Sequence, residues 1–394
     1  MTRLRRLRPD FVYTGGAAEA GDVAEAGDVV IGADGRIAAL VAKDAPWRDD
    51  AGRTPIVLEL PGQLLMPGLC DAHSHAFQRA FRGRVQHRSA TAPADSFWTW
   101  RDAMYSVAAG LDPDGVEAIS ALAFLELLRA GVTAVGEFHY LHHDRNGAPY
   151  ADPDELALRV IAAARRVGIR ITLLRVVYGA SGFDAGGRPL ALTAAQRRFA
   201  SGSADAALVA TARLADRTSA DMAVVIGLAP HSVRAVPRGW MAELAAFSGV
   251  VHCHVAEQPA EVVACHEAFG CGPLTLLADA GLVHDRFAAV HLTHPDPGDA
   301  ALLRAAGARI VVCPSTELDL GDGFLPLSLR GGIELAVGSD SYAAVEPLAE
   351  ARAIELHGRA LAGQRLVLGA AGVGDQARAL LAIASANGHR ALGQ

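Results

Sequence analysis

The 394-residue chain is too long for one small domain and fits either a barrel of about 250 residues with an appendage or two medium domains. Hydrophobic residues make up 51% and charged residues 20%, the balance of an ordinary α/β protein and not of a disordered or fibrous one. The 36 basic and 43 acidic side chains give a net charge of −7, without the basic excess that nucleic acid requires, and no run of about 18 apolar residues free of charged or turn residues offers a membrane span.

The chain opens on Arg3, Arg5, Arg6 and Arg8, but Pro9 and Asp10 follow where a signal peptide needs an apolar stretch, so the expected location is cytoplasmic. Residues 11–60 hold short apolar runs broken by glycine and aspartate. In GDVVIGADGRIAAL the ADG reads as a hairpin turn between two strands, and a small β domain is expected over residues 1–62.

Over residues 63–394 apolar runs alternate with longer amphipathic stretches, the pattern of repeated βα units. Strands are expected at 64–71, 132–138, 169–177, 223–230, 250–255, 287–292, 309–314 and 333–340. Their near-continuous apolar character suits a parallel sheet covered on both faces. Helix signals lie between them: Asp112 and Pro113 with Gly131, and Asp152 and Pro153 with Gly168, supply caps, first turns and left-handed stops. The expected fold is α/β, a (β/α)8 TIM-like barrel with a small β-sandwich appendage, rather than an open doubly wound sheet. The five cysteines form no CxxC pair and read as buried free thiols.

The first barrel strand ends in Asp71-Ala72-His73-Ser74-His75, and side chains two apart on a strand point the same way, so both imidazoles can converge on one ion. Alone, this spacing is weak in a chain with 15 histidines. The fifth strand adds His252-Cys253-His254-Val255-Ala256-Glu257, in which one histidine could be a ligand and Glu257 could move protons. His291 closes the sixth strand and Asp340 the eighth. Metal-binding types at the C-terminal ends of four strands coincide with the rim where barrel enzymes carry their chemistry.

These residues, with the lead-in LLMPGLCDAHSHAFQ, resemble the amidohydrolase superfamily over nearly the whole chain. Some members bridge two metals with a carboxylated lysine. Here the only lysine is Lys43, in the expected appendage, and AVVIGLAP offers neither lysine nor acid, so a single metal is expected. By resemblance to single-metal deaminases, His73, His75, His254 and Asp340 would hold one zinc ion per chain. His291 would orient the water, Glu257 would carry protons, and His252 would be packing.

A finer resemblance, to the formimidoylglutamate deiminases of histidine degradation, rests on HAFQRAFRG at 75–83, FWTWR at 97–101, GEFHYLHH at 136–143, APHSVRAV at 229–236 and HVAEQ at 254–258. It implies hydrolysis of N-formimino-L-glutamate to N-formyl-L-glutamate and ammonia, with substrate contacts at Gln78, Arg101, Tyr140, His231 and Arg234. Arginine suits a small dicarboxylate, which it can grip with a two-pronged fork. The expected partners are that substrate and a second copy of the chain in a homodimer, with no nucleic acid and no membrane.

Two alternatives remain at this point. Phe97, Trp98 and Trp100 would suit stacking on a nucleobase, or another formimino amino acid could be the substrate; in a different class, the chain would be a non-catalytic barrel kept for binding or assembly. Three features depart from the deiminase pattern: Tyr342 after Ser341, Leu318 with Asp319 in STELDLGDG, and the end at SANGHRALGQ, where further strands of the appendage would be expected. The first two put affinity and exact substrate in question, and the third would leave appendage edges uncovered or shielded by a partner subunit.

Overall fold

A computed structural model describes residues 4–14, 27–86, 96–368 and 376–394. They fall into two compact units, Met1–Gly68 and Leu69–Gln394.

The first unit holds β1 (Arg5–Val12), β2 (Gly27–Ile31), β3 (Ile37–Ala42) and β4 (Ile56–Leu65) in one sheet of order β3-β2-β1-β4. The β2–β3 pair is the expected hairpin: Gly35 sits at φ +84, a conformation that costs glycine little, and the Gly32 N–H donates to the Arg36 carbonyl at 2.8 Å. The buried Asp28 carboxylate accepts from Arg6 at 2.5 Å and Arg8 at 3.1 Å. The second layer that a sandwich needs is not among the described residues.

The second unit is built on β5 (Leu69–Ser74), β6 (Val132–His139), β7 (Arg170–Val177), β8 (Val224–Pro230), β9 (Val251–Val255), β10 (Phe287–His291), β11 (Arg309–Val312) and β12 (Glu334–Val337). Each pairs in parallel with the next. The ring closes where Ser74 bridges Asp340: Asp340 N–H donates to the His73 carbonyl at 2.9 Å and His75 N–H to the Asp340 carbonyl at 3.1 Å. All eight expected strands are present. Only the first is displaced, because Leu64 and Leu65 end β4 and the barrel strand starts at Leu69.

Small and branched side chains fill the interior, among them Ala72, Ala288, Val290, Val311, Cys313 and Ala336. Closure brings backbones close together: a Cβ on Gly338 would lie 2.6 Å from the His73 carbonyl oxygen. The helix Pro113–Arg129 starts as expected, with the Asp112 carboxylate accepting from Gly115 N–H at 2.8 Å. The next helix, Glu155–Val167, begins two residues later than its sequence suggests, since Asp152 bonds the Asp154 N–H and Asp154 takes the N-cap position. Helix Ala386–Ala391 and the residues beyond it pack on the barrel: the His252 ring Nε2 lies 2.9 Å from the Ala391 carbonyl oxygen and Thr172 donates to that of Leu392 at 2.9 Å. No described helix is long and apolar enough to cross a membrane.

Candidate active site

β5 delivers two imidazoles to one side because alternate residues of a strand share a face. β9 brings His254, and the closing bridge brings Asp340. One ligand atom from each of His73, His75, His254 and Asp340 lies within 4.8 Å of all the others, and all four residues are buried. The Asp340 Oδ1 is 3.2 Å from His75 Nε2 and 3.4 Å from His73 Nε2.

The outer nitrogens define what the inner ones can do. His75 Nδ1 lies 3.1 Å from the Phe138 carbonyl oxygen and His254 Nδ1 3.0 Å from that of His231, contacts that place the proton on Nδ1 and leave Nε2 with its lone pair facing inward. His254 Nε2 and His73 Nε2 are 3.1 Å apart. His73 Nδ1 is buried without a partner, so the His73 Nε2 is free to act as a ligand, and the donor set fits a single metal ion. Burial pushes the His73 pKa down to about 3, and that of His254 well below the usual value, so both rings are neutral at pH 7, as ligands must be.

Glu257 follows β9 and reaches within 3.6 Å of His291 Nε2, which itself lies 3.9 Å from Asp340. His291 Nδ1 is 3.3 Å from the buried Glu317 carboxylate. Burial disfavours a charged His291, yet Glu257, Glu317 and Asp340 outweigh it and push the pKa up to about 10; a cation on the four donors would oppose that rise. The backbone at His291, Ala256 and Asp340 is left-handed, at φ +70, +49 and +49.

These groups open onto a cavity of about 290 Å³ whose lining includes His75, His254, Asp340 and Glu257 together with all five expected contact residues, Gln78, Arg101, Tyr140, His231 and Arg234. Gln78 donates to the Tyr140 hydroxyl at 3.0 Å, leaving its buried carbonyl oxygen without a partner. The two arginines differ. Arg101 stacks 4.7 Å over the Trp98 ring and 5.6 Å from Tyr105 and has no ion pair among the described residues. Arg234 lies 3.3 Å from Glu257 and 3.5 Å from Glu261.

Sequence reasoning missed Glu261, Glu317 and Asp322, which are all buried. Asp322 contacts Gln258, and burial together with the Glu257 charge raises its pKa. The only available signal was proximity to motifs: Glu261 comes four residues after Glu257, and Glu317 lies just past β11. Of the departures, Tyr342 is fully buried with its hydroxyl 2.8 Å from Ser74 Oγ, Asp319 accepts from Gln86 at 2.6 Å, and Leu318 is half exposed. None of the three lines the cavity.

Comparison with known proteins places the chain. The sequence pattern of the amidohydrolase family matches residues 64–394. The formimidoylglutamate deiminase of Pseudomonas aeruginosa is 42% identical over 313 residues, covering 77% of this chain; the aligned part is 65% of that protein's length, just under two-thirds. The 5-methylthioadenosine/S-adenosylhomocysteine deaminase of Teredinibacter turnerae is 26% identical over 91% of this chain and 73% of its own length. Among solved structures, an amidohydrolase from Brucella melitensis superposes with a TM-score of 0.86 at 32% identity, over 100% of this chain and 83% of that one.

Proposed function

The chain belongs to the amidohydrolase family, and from that premise we propose that it is a zinc-dependent deiminase converting N-formimino-L-glutamate and water to N-formyl-L-glutamate and ammonia. The observation that carries this reading is the presence of two guanidiniums, Arg101 and Arg234, in the same cavity as the four-donor cluster. The name of the relative at 42% identity supports it.

His73, His75 and His254 through Nε2, and Asp340 through a carboxylate oxygen, would hold one zinc ion per chain. Bound there, zinc supplies the Lewis acidity that makes water a nucleophile near neutral pH. His291, held from behind by Glu317, orients the water. Glu257 accepts one proton of the water as the C–O bond forms and the C=N pair moves onto the formimino nitrogen, and delivers that proton to the nitrogen; the remaining hydroxyl proton follows by the same carrier as the C=O bond forms and the C–N bond breaks, so that ammonia leaves. Arg101 and Arg234 each take a substrate carboxylate, while Gln78, Tyr140 and His231 fix the chain between them.

Phe97, Trp98 and Trp100 in the cavity wall, with the nucleoside deaminases among the relatives, support a second reading as a ring deaminase. The non-catalytic reading has less support, since the whole donor set and Glu257 are present. Ammonia release by zinc-loaded protein discriminates all three: N-formimino-L-glutamate is expected to react fastest and N-formimino-L-aspartate more slowly. Release only from 5-methylthioadenosine or a related base would overturn the assignment, and no release from any compound would favour binding or assembly. A cytoplasmic location is supported by five free cysteines. For the homodimer, support comes from Phe11, Ile37, Leu40 and Leu64, apolar side chains left exposed by the small sheet, and sedimentation tests it.

A further inference from the structure

Glu261 takes no part in the mechanism above, although it borders the cavity and its side chain is completely buried. It stands in the first turn of the helix Pro259–Phe269. One carboxylate oxygen, Oε2, accepts the Glu257 N–H at 3.3 Å. The other, Oε1, has no hydrogen bond and faces the Nε of Arg234, itself buried without one, at 3.5 Å. A buried carboxylate is costly without a cation beside it, and Arg234 is that cation.

Arg234 therefore lies between two carboxylates, its Nε facing Glu261 without a hydrogen bond and its Nη2 donating to Glu257 Oε2 at 3.3 Å. Nη1 makes no hydrogen bond among the described residues. The Phe97 and Trp98 rings, 5.7 and 5.8 Å from the guanidinium carbon, complete its surroundings. A guanidinium fork is planar and rigid, so fixing its Nε edge fixes the direction of the remaining donors. Without the Glu261 charge, the strongest acceptor left beside Arg234 is Glu257, and the arginine would settle fully on the proton carrier.

We propose that Glu261 is a positioning residue: its charge holds the Nε edge of Arg234, so that the guanidinium is shared between Glu261 and Glu257 and its remaining nitrogen is left to meet a substrate carboxylate. The assignment rests on the reading of Arg234 as a substrate contact given above. Because Glu261 also holds the Glu257 backbone, one side chain ties the carboxylate grip to the proton carrier.

The test is a double-mutant cycle with E261Q, R234A and the double variant, each zinc-loaded and checked for metal content, following kcat and KM on N-formimino-L-glutamate. E261Q keeps the shape and removes the charge, and should retain its metal. It should lower kcat/KM roughly 10- to 100-fold, part of what a buried ion pair at 3.5 Å can supply, with kcat reduced as well as KM raised. Added to R234A it should cost less than about threefold more, because the contact it breaks is already gone. Fully additive losses, or an unchanged kcat in E261Q, would overturn the proposal. If R234A does not fold, R234K takes its place.

A second readout needs no turnover: the NMR signal of Arg234 Nε–H, assigned by its loss in R234K, should be protected from exchange in the parent and shifted or lost in E261Q. An unchanged signal overturns the positioning role even if every substrate assignment holds. Absence of formiminoglutamate turnover in the parent overturns the assigned reaction and leaves this NMR result to decide the role of Glu261.

Discussion

Replacing each arginine of the cavity by alanine should have unequal effects. Arg101 carries a charge that no described carboxylate balances, whereas Arg234 already faces Glu257 and Glu261 at 3.3 and 3.5 Å. At a separation of about 4 Å and an effective dielectric near 20, a substrate carboxylate gains about 4 kcal/mol from one guanidinium, before the cost of desolvation. Truncating one member of such a pair typically costs about 2–5 kcal/mol, or roughly 30-fold to several thousandfold in kcat/KM. Arg101→Ala should fall in the upper half of that range and act mainly on KM, because the lost contact exists in ground and transition states alike. Arg234→Ala should lose less binding, since its substrate contact competes with two resident carboxylates, but more kcat, since Glu257 loses its neighbouring cation. Steady-state ammonia release with N-formimino-L-glutamate and with its side-chain amide separates the two: the amide should already be poor with the parent and lose little more in the variant whose arginine faced that carboxylate. If both variants stay within about threefold of the parent, less than 1 kcal/mol, the dicarboxylate assignment fails while the metal-dependent hydrolase survives.

Glu257→Gln should keep one metal per chain and lose about 10²–10⁴-fold in kcat with little change in KM, the scale of a positioned proton carrier, checked by metal analysis alongside turnover. His254→Ala should abolish tight metal binding, whereas His252→Ala should retain the ion and lose only stability, on the order of 1–3 kcal/mol, because its ring nitrogen meets the Ala391 carbonyl instead of the donor cluster; metal content after dialysis and thermal melts distinguish the two. Away from the site, hydrogen bonding to Arg217 lowers the Asp152 pKa from 3.8 to about 2, so the pair stabilises the fold above the unfolded pKa and is lost as pH falls through the folded one. Arg217→Ala removes this partly exposed pair and a second contact to the buried Asp154, which keeps Arg213, so it should cost at least about 0.5–1 kcal/mol at pH 7, and its urea midpoint should approach the parent's as pH falls from about 4 to 2.

The barrel strands were legible because most of their positions are buried on both faces and their sequences are therefore largely apolar, a signal that depends on composition more than on boundaries. The exception, the run beginning at Leu64, failed for the same reason: two strands from different units abut there, and hydrophobicity does not mark where one ends. The clustering of His73, His75, His254 and Asp340 was legible because histidine at strand ends is chemically distinctive and because alternation on β5 follows from backbone geometry. Glu261, Glu317 and Asp322 were not. Acidic residues in helix first turns and loops ordinarily face solvent, and only tertiary packing turns these three inward. The inequality of Arg101 and Arg234 was hidden likewise, since it depends on which carboxylates the fold brings beside each.

A further property of the site lies outside any reading of residue types. Among the described residues, seven non-glycine positions have positive φ, and five of them, Ala256, His291, Leu292, Asp340 and Tyr342, follow or end β9, β10 and β12 at the catalytic rim. Such conformations cost of order 1–3 kcal/mol each and persist only where surrounding contacts over-determine them. At two of the five the contacts can be named: Asp340 N–H bonds the His73 carbonyl and its own carbonyl accepts from His75, and Leu292 N–H reaches the Val255 carbonyl, so bonds to neighbouring strands hold these turns in place. An ordinary extended exit from β10 or β12 would carry the next side chains alternately inward and outward. The left-handed step reverses the chain at once and lets His291 and Asp340 point toward the same ion site while the backbone departs. The strain is thus concentrated where side-chain direction matters most, and at Asp340 the hydrogen bonds that close the barrel also fix the backbone that carries a donor.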